Sequence, residues 1–67
     1  MKRDLVTALI QDCHAKILLA RMNVKVYLKN PVGVGDHPNI METIQEQLDI
    51  ISKHKDRLKV LETDFYE

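Results

Sequence analysis

Tryptophan is missing from this chain, cysteine appears once, and glycine and proline appear twice each. With Cys13 alone, no internal disulfide can form, which removes the usual staple of small secreted domains and fits a reducing compartment. So few glycines and prolines exclude collagen-like and low-complexity linker chains. Net charge is lacking too: ten Lys/Arg and ten Asp/Glu cancel, so no global field draws the chain to nucleic acid or anionic lipid. The longest uninterrupted apolar run, Ile17 to Ala20, is far short of the roughly 20 residues a spanning helix needs, and no membrane partner is expected. After Met1-Lys2-Arg3-Asp4, the polar Gln11, Asp12 and His14 arrive too early for a secretory h-region, so the expected location is cytoplasmic.

What remains is a chain of 67 residues, 45% hydrophobic and 30% charged. Chains below roughly 70–80 residues seldom build a self-sufficient core and add disulfides, a metal or association with another chain. The disulfide is already excluded. His14, His37 and His54 have no Cys-x-x-Cys, His-x-x-x-His or Glu-x-x-His companion, so no zinc site or other cofactor is expected. Association is left.

Turn chemistry is confined to Asn30-Pro31-Val32-Gly33-Val34-Gly35-Asp36-His37-Pro38, which holds both prolines and both glycines. The flanking stretches therefore predict one domain over 1–67, with a helix at about 3–29, a loop at 30–37 and a helix at about 38–65. Asn30 precedes a proline and is biased away from the α region, which ends the first helix. Asp36 and Asn39 are candidate N-caps of the second, and Asn39 with Glu42 reads as a capping box. The halves differ in charge: six Lys/Arg against two Asp over residues 1–33, and four against eight acids over 34–67.

Hydrophobic spacing supports the helices and their pairing. Val6, Ile10, Cys13, Ile17, Ala20, Val24 and Tyr27 alternate steps of four and three with no polar interruption, which is a heptad seam. Ile44, Ile51, Leu58 and Phe65 recur every seven residues, flanked by Ile40, Met41, Leu48 and Leu61, and form its mate. The fold class is therefore all-α, a two-helix antiparallel hairpin. A second stripe on the first helix, Ala8, Ala15, Leu19, Met22 and Val26, also keeps heptad spacing, broken only by Asp12. At 100° per residue it lies roughly 160° from the seam, so one partner helix cannot cover both. These five residues are the candidate oligomer or partner interface. A homo-oligomer is expected, first a homodimer assembled as an antiparallel four-helix bundle.

Chemical motifs are weak by comparison. The loop residues Gly33, Gly35, Asp36 and His37 form a candidate anion or nucleotide site ahead of a helix N-terminus. The Gly-x-Gly lacks the third glycine of a dinucleotide fingerprint and the Gly-Lys-Ser/Thr end of a P-loop, and Asp36 would repel an anion. Cys13 falls on the seam, where a thiol serves as a small hydrophobe. His54 falls on the apolar arc of the second helix and reads as an amphipathic side chain at the seam's edge, its ring partly wet. Arg3, His14, Arg21, Lys25 and Lys29 cluster on one strip, but without an aromatic stacking platform nucleic acid is not the expected partner. No nucleophile, base and oxyanion donor assemble, so no enzyme activity is expected.

The stretch Val26-Tyr27-Leu28-Lys29-Asn30-Pro31-Val32-Gly33-Val34-Gly35-Asp36-His37-Pro38-Asn39-Ile40 resembles the loop of a family of short uncharacterised helix–loop–helix proteins of tailed phages, marine cyanophages in particular. The specific part is Asn-Pro-Val-Gly-x-Gly-acid-His-Pro. The resemblance implies a phage origin, in host cytoplasm or virion, and carries no catalytic or binding residue with it. Three functions follow as expectations: a scaffold acting through self-association, a regulator docking on a host or phage protein through the second stripe, and an anion binder using the loop.

Overall fold

The computed structural model describes residues 2–30 and 39–65. Helix α1 spans Lys2–Lys29 and helix α2 spans Ile40–Val60, continued by a π-helical turn over Leu61–Phe65. The two helices pack side by side as an all-α antiparallel hairpin, a rod of 46 × 16 × 15 Å. No strand occurs among the described residues.

Local chemistry sets the ends. The Asn30 N–H donates to the Val26 carbonyl at 2.9 Å, closing α1, and Lys29 in the last turn complements the negative end of the helix. Helix α2 opens at Ile40, two residues later than about 38, because Asn39 is the N-cap. Its side-chain oxygen accepts from the Glu42 N–H at 3.0 Å, and its amide nitrogen lies 3.5 Å from the Glu42 carboxylate. The Thr43 hydroxyl and N–H both donate to the Asn39 carbonyl at 3.2 Å. One donor at the start of α2 that would lack an intrahelical partner, the Glu42 N–H, is thereby satisfied. Asp36, the other candidate cap, lies outside the described residues.

The seam of α1 is the one its spacing predicts. Cys13, Ile17 and Ala20 are buried, while Val6, Ile10, Val24 and Tyr27 are half-buried towards the ends. The facing surface of α2 is made of Ile40, Ile44, Gln47, Ile51, His54, Leu58 and Leu61, again in steps of four and three. Asn23 donates its side-chain amide to the Gln47 side chain at 3.1 Å, which fixes the register. Stepping in opposite directions from that bond puts Ala20 level with Ile51, Ile17 with His54, Cys13 with Leu58 and Ile10 with Leu61.

Phe65, expected on the second seam, and Met41 and Leu48, expected beside it, lie elsewhere: all three are exposed. Gln47 and His54 occupy the alternate seam positions instead, because a heptad seam needs two positions per repeat and these supply the second. Phe65 leaves for a different reason. The Leu61 N–H is shared between the carbonyls of Arg57 and Leu58, and the chain then widens into the π-helical turn. The wider turn rotates less per residue, so Leu61 stays buried while Phe65 lags off the seam with half its surface exposed.

Candidate interaction surface

Opposite the seam, α1 presents a second apolar face. Ala8, Ala15, Leu19, Met22 and Val26 are all exposed, Leu19 to 64%, Val26 to 59% and Met22 to 55%. Leu5, missing from the expected set, belongs with them, since it shares the seven-residue spacing of Asp12, Leu19 and Val26. Exposed Leu9 and Leu18 border the stripe on its two sides. The one charge within it, Asp12, is bonded at 3.0 Å to Lys16 one turn later, an arrangement that neutralises the carboxylate while contributing only about 0.3–0.5 kcal/mol to the helix.

Burial is correspondingly thin. Among the described residues the buried apolar ones are Cys13, Ile17, Ala20 and Leu61, whereas seven large apolar side chains of α1 alone are exposed. A compact monomer of 7.8 kDa would expose about 4,400 Å²; this chain exposes 5485 Å², an excess of about 1,100 Å². The radius of gyration tells the same story, 15.0 Å against about 11 Å for a compact chain of this length. The outer side of α2 is different in kind. It carries Glu46, Asp49, Lys53, Asp56, Arg57 and Lys59 around a solitary Val60, all exposed, and needs no cover.

The buried polar residue of the seam is His54. Its ring is 5% exposed, not partly wet as its position on the sequence suggests, and Nδ1 is sealed from solvent with no hydrogen-bond partner. The wet-edge reading fails because the antiparallel register sets the imidazole level with the buried Ile17. Burial pushes its pKa below the usual 6.5, and the positive charges of Arg57, Lys16 and Lys53 push the same way against the opposing Asp12. Cys13, wholly buried and one turn from Ile17, is a packing residue. His14 is exposed. Sequence reading missed the depth of His54 because amphipathic residues at a seam's rim and at its centre share the same spacing; only the register of the mate tells them apart.

The loop candidates Gly33, Gly35, Asp36 and His37 lie outside the described residues. Arg3, Arg21, Lys25 and Lys29 are exposed on α1. Among the described residues, no three His, Cys, Asp or Glu side chains group as metal ligands, and no helix is long and apolar enough to cross a membrane. Comparison with protein-family profiles, curated proteins and solved structures gives no match.

Proposed function

We propose that this chain is a non-enzymatic helical interaction or scaffold protein that works by self-association, a homodimer in the first instance, and through that assembly binds other proteins. The observation that supports this reading is the unpartnered apolar face of α1 on a hairpin that buries few apolar residues. A hairpin of this size gains roughly 25 cal/mol per Å² of apolar surface buried, which only about offsets the entropy of ordering its residues. Covering a second face supplies the missing term. Each of Leu19, Met22 and Val26 offers a further fraction of the roughly 1.5–3 kcal/mol that full burial of such a side chain contributes.

Light scattering coupled to gel filtration, run across about 1–100 μM together with thermal melts, tests the proposal. A dimer mass and a melting midpoint that rises with concentration are expected. A well-folded monomer throughout that range would overturn it. The double variant Leu19→Glu, Met22→Glu places two charges in the stripe and should yield a monomer.

A further inference from the structure

We infer that the outer face of α1 docks antiparallel, across a twofold axis, on α1 of a second copy, so that the four helices lie in the order α2, α1, α1, α2; this rests on the self-association proposed above and gives it a geometry. The occupant follows from the surface left over. The elongated chain as a whole exposes about 1,100 Å² more than a compact monomer of its mass, enough in total for the roughly 800 Å² that each partner contributes to a standard interface. Within this chain the longest uncovered apolar stripe among the described residues belongs to α1; the outer side of α2 is charged, and the apolar side chains that α2 leaves exposed, Met41, Leu48, Ile50 and Val60, are scattered over different faces and form no comparable stripe. A second copy therefore brings one suitable mate, its own α1.

The placement of the stripe fixes the layering. A square four-helix bundle asks each helix for two apolar faces about 90° apart. On α1 the faces are instead roughly 160° apart, nearly back to back, which suits a helix sandwiched between two neighbours. Direction is set by Asp12 and by residue size. Parallel docking would bring Asp12 against the partner's Asp12, like charge on like charge, and would set Ala15 against the partner's Ala15 while Leu19 crowded the partner's Leu19. Antiparallel docking about a point near Ile17 removes all three conflicts. Ala8 meets the partner's Val26, Ala15 meets the partner's Leu19, and Asp12 meets the partner's Met22 with Lys16 beside it on its own helix. Small faces large in the Ala8–Val26 and Ala15–Leu19 layers, which lets the backbones approach. Leu18 lies beside the axis and meets its own mate. Antiparallel α1 helices also oppose their dipoles favourably.

Single spin labels on the full chain test the arrangement, placed through Lys2→Cys and, separately, Lys25→Cys in a Cys13→Ala background checked for helicity and for mass. At 1.5 Å per residue, antiparallel docking sets the two Lys2→Cys labels about 45 Å apart and the two Lys25→Cys labels about 25 Å apart. Those long and unequal distances in a species of dimer mass are the expected result. Short and equal distances, under about 20 Å at both sites, would overturn the antiparallel docking while leaving self-association intact. A dimer whose mass is unaffected by Ala15→Glu would overturn the choice of face. A monomer of the unmodified chain would overturn the geometry and the self-association together.

Discussion

Truncating Leu19 to alanine separates the two faces of α1. In the hairpin its side chain is 64% exposed, and full burial of a leucine contributes roughly 1.5–3 kcal/mol. Covering the open portion is therefore about 1–2 kcal/mol per copy, and twofold symmetry counts it twice, giving about 2–4 kcal/mol per dimer. Most of that disappears in Leu19→Ala, so Kd should rise on the order of 100-fold. Sedimentation equilibrium over a concentration series measures the change directly. The intrinsic stability of one hairpin should be nearly unaltered, because Leu19 does not enter the seam and alanine is the better helix former. Ile17, two positions away and only 8% exposed, is the counterpart: Ile17→Ala should cost about 2–5 kcal/mol of hairpin stability. If Leu19→Ala left Kd within about threefold of the parent, the assignment of faces would be wrong.

Three further outcomes are expected. The pKa of His54 lies below its unfolded value of about 6.5, so the unfolded chain takes up the proton first; stability is full above pH 6.5, declines as pH falls beneath it, and levels off below the depressed folded pKa. Thermal midpoints should drop as pH falls below about 6.5, and His54→Leu should flatten that slope. Asp12→Leu removes the single charge in the outer stripe and should tighten the dimer by about tenfold or more in sedimentation, against a loss of only about 0.3–0.5 kcal/mol from the Lys16 pair. Asn39→Ala strips the cap from α2 and should cost about 1 kcal/mol, seen as a fall of about 4–8 °C in melting midpoint.

Much of the hairpin is legible in the chain itself because its two signals are local. Turn chemistry concentrated around Pro31 and Pro38 divides it, and the uninterrupted seam from Val6 to Tyr27 depends only on spacing along one helix. The mate is less legible. Period seven picks out Ile44, Ile51 and Leu58 but cannot show that Gln47 and His54 complete the seam while Met41 and Leu48 stay outside, since both sets flank the same residues. That choice is made by the partner helix, whose Asn23 binds Gln47. Phe65 fits the heptad on paper and leaves it through a backbone event, the widening after Leu61, that no side-chain pattern announces. For the outer face the omission of Leu5 has a simpler origin: the break at Asp12 conceals that the spacing resumes beyond it.

The sealed sulfur of Cys13 has a consequence for how often the two rods part. It is the sole thiol of the chain and has no exposed surface, so an electrophile or a second thiol reaches it only while the hairpin gapes. Its rate of derivatisation, followed by mass or colour, is accordingly a stopwatch for breathing that requires no engineered tag. By the same barrier, oxidants acting on the closed molecule do not reach this thiol, and covalent pairing of two chains through this atom must wait for both to spring apart.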